Sequence, residues 1–200
     1  KVDFHLAVFS KYRLTSATRH QLALMNEPAW RQWFNLRRAL FDVRALMDNG
    51  KELALLNTHL SAFSNNDGTL FEQVGQIDRH LIALEDSGVA WVLGGDFNAL
   101  PPGDDVKRLG EEGASYGPET PMAKLYERYT PIWTERMVRD APKAIRTYLP
   151  FGATEPDRTI DYGFVGREVS LLGAEVLQER DISDHLPCVI RVSLAPQAAG

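Results

Sequence analysis

Apolar and polar positions alternate over Val2–Phe9, with Val2, Phe4, Leu6 and Val8 on one face, which predicts a first strand. The polar and basic stretch Ser10–Gln21 predicts a connecting loop. Two apolar runs, Ala39–Met47 and Glu52–Thr58, flank Asp48-Asn49-Gly50. Asn-Gly between such runs signals a hairpin, because both residues tolerate the backbone of a tight turn. From Gly68 to Ser87, Leu70, Val74, Ile77, Leu81 and Leu84 recur at helical spacing, and Gly88 closes the helix. Val89–Leu93 reads as a buried strand. Further strands are predicted at Thr147–Leu149, Thr159–Val165, Val169–Leu177 and Cys188–Leu194, with a short helix at Met122–Tyr129 and Trp133 in the core. Pro101-Pro102-Gly103 is a turn. Residues 104–144 carry the weakest pattern, and the tail Ala195–Gly200 is expected to be disordered. Strand, hairpin, helix and strand in that order predict an α+β fold, a mixed sheet covered by helices.

Ala29–Arg38 concentrates Trp30, Trp33 and Phe34 with Arg31, Arg37 and Arg38. Its aromatics are expected to pack on the sheet edge. The sharper alternative is a rim that offers cationic and aromatic faces to a substrate.

Composition narrows the class. Two hundred residues, 44% hydrophobic and 24% charged, suit one globular domain with a substantial core. No apolar run is long enough to cross a bilayer. The single cysteine, Cys188, excludes an internal disulfide framework and a multi-cysteine zinc site, and is expected as a small buried strand residue. The net charge of −5 is uneven: residues 1–51 hold nine Lys and Arg against four Asp and Glu, and the remainder thirteen against twenty-three. An acidic whole argues against a general polyanion binder, while the basic first quarter leaves room for a local phosphate-facing patch. The chain opens at Lys1 directly into a strand-like pattern, with nothing like a signal peptide, so it reads as the interior of a longer protein and its localisation is unknown.

Chemistry concentrates where apolar runs end. Val89–Leu93 enters Gly94-Gly95-Asp96-Phe97-Asn98. In extended chain Asp96 and Asn98 point one way and Phe97 the other. A carboxylate beside an amide suits a hard cation or a phosphate, although Gly, Asp and Asn are equally the residues of a turn. Similar clusters are Asn57-Thr58-His59, Arg158-Thr159-Ile160-Asp161-Tyr162 and Ser183-Asp184-His185. Singly, a histidine after a strand is a structural hydrogen-bonder, and Ser-Asp-His before Leu-Pro is a turn. Asp161 is more telling, because an acid within a buried strand needs a partner, for which a histidine is the obvious candidate.

Taken together, Thr58-His59-Leu60, Gly95-Asp96-Phe97-Asn98, Ile160-Asp161-Tyr162 and Ser183-Asp184-His185-Leu186-Pro187 resemble, in order, signatures of the endonuclease/exonuclease/phosphatase superfamily, the deoxyribonuclease I-like proteins. Leu6–Tyr12 resembles the family strand before the T-H-L hairpin, and Arg38-Ala39-Leu40 the hairpin's entry. The resemblance implies a two-layer β-sandwich flanked by helices, with a catalytic domain over residues 1–194 and a tail over 195–200. It also implies an incomplete N-terminus: the family's first strands, with an asparagine and the glutamate that is the principal metal ligand, have no counterpart here. Uncovered apolar side chains each forfeit about 1.5–3 kcal/mol, so a covering segment or self-association through the exposed face is expected.

The function implied is metal-dependent hydrolysis of a phosphoester by activated water. Asp96 would orient or deprotonate the water, and Asn98 would hold it or a phosphate oxygen. His185, fixed by Asp161, would neutralise phosphoryl oxygens, and His59 would bind another or aid the leaving group. Asp184 would complete the environment of a magnesium or manganese ion with the missing residues. The substrate could be nucleic acid, nucleotide, phospholipid or sugar phosphate, with the choice made in loops near Ser61–Gly68 and 104–144. The alternative is a binding or scaffold module that keeps the fold without the chemistry. A zinc hydrolase is disfavoured by the lack of closely spaced histidines.

Overall fold

A computed structural model describes residues 5–33, 35–62 and 67–194. In chain order the elements are β1 (Arg13–Gln21), α1 (Ala29–Gln32), β2 (Ala39–Leu46), β3 (Glu52–His59), α2 (Thr69–Asp86) and β4 (Ala90–Asp96). A 3-10 segment (Val106–Ser115), α3 (Ala123–Arg128), the two-residue β5 (Thr130–Pro131), α4 (Glu135–Asp140) and a 3-10 turn (Pro142–Ile145) follow. The chain then forms β6 (Asp161–Val165), β7 (Val169–Val176) and β8 (Cys188–Leu194). Six strands make one sheet in the order β1-β2-β3-β4-β6-β5, and β7-β8 form a second. Among the described residues only β3 and β4 pair in parallel, which requires the α2 crossover between them. Among the described residues no helix is long and apolar enough to cross a membrane.

The α+β sandwich expected from the sequence is present. The helical stripe of α2 packs Val74, Ile77, Leu81 and Leu84 on Leu40, Leu56, Trp91 and Leu93 of the large sheet, with Phe97, Tyr162 and Phe164 in the same core. On the other side Leu53, Val165 and Val169 meet Leu55, Val92, Leu171 and Val192, joining the two sheets. The Asp48-Asn49-Gly50 turn closes β2 onto β3: the Met47 N–H donates to Lys51 O at 2.8 Å, and Gly50 has a φ of 79°. Trp133 is buried, and its indole N–H donates to Asp161 O at 3.0 Å.

Several expectations require correction. His5–Ser10 form no strand, and the part of Val2–Phe9 before His5 lies outside the described residues. The strand before the hairpin is β1, within the stretch expected to be a loop. Alternation fails as a signal there because β1 is an edge strand, paired only with β2 and exposed along nearly its whole length. Neither face imposes an apolar period on Arg13, Thr15, Arg19 and Gln21. Thr147–Leu149 is not a strand but a single bridging residue, Tyr148, between Arg158 and His185. Trp30 and Trp33 do not pack on the sheet edge. They are 64% and 88% exposed, with the Arg31 guanidinium 5.3 Å from the Trp30 ring centroid. Phe34, residues 63–66 of the Ser61–Gly68 loop and the tail expected to be disordered lie outside the described residues.

One glycine fixes how closely β3 and β4 approach. Gly95 has a φ of 153°, and a Cβ there would stand 2.0 Å from Thr58 O. Thr58 is itself buried and donates its hydroxyl to Ala39 O at 3.0 Å, so it has no room to retreat. Gly95→Ala is therefore expected to destabilise the fold by about 2–3 kcal/mol or more, read as a lower denaturant midpoint at unchanged slope.

Candidate active site

Strand register sets out the first three polar side chains. His59 and Asp96 are partners between β3 and β4, and Asp96 and Asp161 are partners between β4 and β6. Residues opposite one another on neighbouring strands share a face, so the three form a row at one end of the large sheet. The close approach at Gly95 brings His59 Nε2 to 3.2 Å from Asp96 Oδ2.

His185 reaches the row from the loop before β8. Leu149 N–H donates to Asp184 O and Leu186 N–H to Thr147 O, each at 2.7 Å. The buried Thr147 hydroxyl oxygen accepts from the N–H groups of both Ile160 and Asp161, at 3.2 Å each. Thr147 thus straps the histidine loop to the start of β6. The imidazole is held by Asp161, with Nδ1 2.9 Å from Oδ2 and 3.1 Å from Oδ1, and Nε2 lies 3.9 Å from Asp96 Oδ2. The Tyr148 ring meets it edge-on at 5.2 Å.

Asn98 differs from the extended geometry read from the sequence. Its φ is 50°, and its backbone N–H donates to Asp96 Oδ1 at 2.9 Å, which closes an Asx turn. Its amide nitrogen donates to Asp96 Oδ2 at 3.2 Å and to Leu60 O at 3.1 Å. The amide expected to reach a phosphate oxygen is therefore committed to the protein. Phe97 is fully buried, as the pattern required.

These neighbours set the charges. Burial pushes Asp96 up to about 6, and the adjacent Asp161 adds to the shift while His185 and Asn98 oppose it. Burial works against a charged His185, but the hydrogen bond and charge of Asp161, with Asp96 and Asp184, lift it to about 8. His59 falls to about 4 through burial and the positive Arg38 and His185. At neutral pH the contact between His59 and Asp96 is therefore not an ion pair.

Arg38, which the sequence reading included in the cationic and aromatic rim and at the hairpin's entry, lies near the row. It directly precedes β2, is half-buried, and forms no side-chain ion pair or hydrogen bond among the described residues. Burial lowers its pKa against the pull of Asp96. The hairpin register, which pairs Leu40 with Thr58, was the available signal, because it puts Arg38 at the same sheet end as His59.

Ligand atoms of Asp96, Asp161 and His185 all lie within 4.8 Å of one another, close enough to share an ion. A magnesium-class ion prefers about six oxygen ligands. Here one donor is an imidazole, Asp161 is spanned by His185, and Asp96 is engaged by Asn98. The group does not by itself complete such a shell. Asp184 is exposed, accepts from the Ser183 hydroxyl at 3.2 Å, and stands outside the group of three.

The profile described as the Endonuclease/Exonuclease/phosphatase family matches residues 5–185. No curated protein matches. Among solved structures, an endonuclease/exonuclease/phosphatase from Beutenbergia cavernae is similar, with 24% identity and a TM-score of 0.65 over 93% of this chain and 46% of that one. The human nocturnin catalytic domain with bound sulfate gives 16% identity and a TM-score of 0.56 over 92% and 60%. A mannosyl-6-phosphatase from Bacteroides thetaiotaomicron gives 15% and 0.58 over 92% and 68%. Identities this low speak to the fold. The chain spans less than two thirds of the first two structures.

The opposed shifts of the two site histidines are directly measurable. In a histidine NMR titration, His185 should change at about pH 8 and His59 at about pH 4. Asp161→Asn should bring His185 back down, because the group that lifts it is removed.

Proposed function

The chain belongs to the endonuclease/exonuclease/phosphatase family, and from that premise we propose that it carries the hydrolytic chemistry of a phosphoesterase, with water as the nucleophile. The observation that carries the reading is the row His59–Asp96–Asp161 with His185 held against Asp161 at 2.9 Å. An acceptor and a donor of opposite protonation stand side by side in it.

Asp96, ionised above about pH 6, is the group that orients the attacking water and accepts its proton. Asn98 acts through Asp96, holding both carboxylate oxygens, so it is a positioning residue. His185 keeps its proton to about pH 8 and presents Nε2–H to a phosphoryl oxygen, while Asp161 fixes Nδ1–H and the ring orientation. Neutral His59 offers a hydrogen bond to a second oxygen or to the leaving group. Arg38, with no internal partner among the described residues, supplies a positive charge on the same side.

We place magnesium or manganese beside this group as the accompanying ion, which as a Lewis acid would neutralise developing charge. Its shell would draw on oxygens beyond Asp96 and Asp161, and Asp184 is one carboxylate the family resemblance offers. A cavity of ≈ 90 Å³ is lined by Gly68, by Leu70 and Phe71 of α2, and by Tyr116 and Thr120 from the 104–144 stretch expected to choose the substrate. Nucleotide, nucleic acid, sugar phosphate and phospholipid headgroup are the candidate substrates.

The test is a panel of phosphomonoesters and phosphodiesters, assayed with magnesium, manganese or a chelator on the full-length protein carrying this chain. Asp96→Asn and His185→Asn should each lower kcat by about 10²–10⁴-fold with the fold intact. Arg38→Gln should act mainly on KM. Unchanged turnover in Asp96→Asn would remove the proposed base.

A further inference from the structure

A second group of imidazole and carboxylate side chains lies on other elements of the fold. His20 belongs to β1, Asp42 to β2 and His80 to α2. We propose that His20, Asp42 and His80 form a binding site for a divalent transition-metal ion of the zinc class, separate from the row at the strand ends.

The geometry is that of a contracted three-ligand cup. One ligand atom from each residue lies within 4.8 Å of the other two. The two imidazole rings stand 4.4 Å apart, centroid to centroid, at 48°. His80 Nε2 is 2.9 Å from Asp42 Oδ2. Ligands bound at about 2.0–2.2 Å around a tetrahedral ion are about 3.4 Å from one another, so shifts of about 1 Å close the shell. The ion would replace the proton shared between His80 and Asp42. Two nitrogens and one oxygen suit zinc, and fit magnesium poorly.

The surroundings support a ligand role. His20 makes no side-chain hydrogen bond among the described residues, so its ring nitrogens are free to coordinate. Asp42 is 4% exposed and is gripped by Arg44 Nε on Oδ1 and Nη2 on Oδ2, both at 2.9 Å. Such hydrogen bonds from outside the shell orient a ligating carboxylate, and Oδ2, which also faces His80, is the oxygen that would take the ion. The His80 side chain is 21% exposed, which leaves an entry path. The two histidines are far apart in sequence, so no close-spaced motif announces them. An ion here would clip the exposed edge strand β1 to α2, which no other side-chain ligand set among the described residues does.

The experiment is a titration of the chelator-treated full chain with cobalt(II) and zinc(II). The expected result is one ion per chain at this site, a cobalt d–d band, and a higher melting temperature with zinc. His20→Gln and His80→Gln should each weaken binding by more than about tenfold, while Asp96→Asn retains it. Circular dichroism checks that the variants fold. In the unsubstituted chain, cobalt should broaden the NMR signals of His20 and His80 more than those of His59 and His185. A band that survives His20→Gln unchanged, or broadening confined to His59 and His185, would overturn the proposal.

Discussion

Two carboxylates placed opposite each other on neighbouring strands repel, and the row at the strand ends is built to contain that repulsion. Asp96 and Asp161 have oxygens within 4.8 Å in a half-buried setting. At an effective dielectric near 20 that costs on the order of 3 kcal/mol if both are charged. The protein meets the cost by raising Asp96 and by setting a charged His185 between the two acids. The Thr147 strap and the bond to Asp161 hold that cation in place, and the Asx turn at Asn98 holds the Asp96 carboxylate. The same arrangement separates the roles of two chemically identical acids. One is saturated by a histidine, while the other keeps a pKa within reach of neutrality.

Register does most of the positioning. The row follows from pairing alone, because β3, β4 and β6 present their terminal residues side by side. The cost falls on the backbone at Gly95, where β4 passes so near Thr58 that no side chain fits. A backbone restraint in this fold thus does what a hydrogen bond does elsewhere.

Much of this was legible in the sequence because it coincides with the ends of apolar runs. His59, Asp96 and Asp161 each stand where a buried strand starts or stops, and an acid there requires a partner. Asn98 was legible as a neighbour of Asp96 but not in its commitment, since an Asx turn and an extended pair share one sequence. β1 was illegible because an edge strand exposed on both faces carries no hydrophobic period. Arg38 was legible as part of a cationic and aromatic rim, and the hairpin register puts it beside His59 and Asp96. His20 and Asp42 meet through the β1–β2 pairing, and His80 joins them only through the packing of α2 on the sheet, contacts that no local pattern records.

The parallel pairing of β3 with β4 has a further consequence, for folding order. His59 and Asp96 become neighbours only after the whole of α2 has been threaded across the sheet, and His185 joins only when the segment before β8 is strapped to Thr147. Contacts closing such long loops form late, after local hairpins and helices. The row thus closes through long-range contacts, while the β2–β3 hairpin and α2 can already be in place.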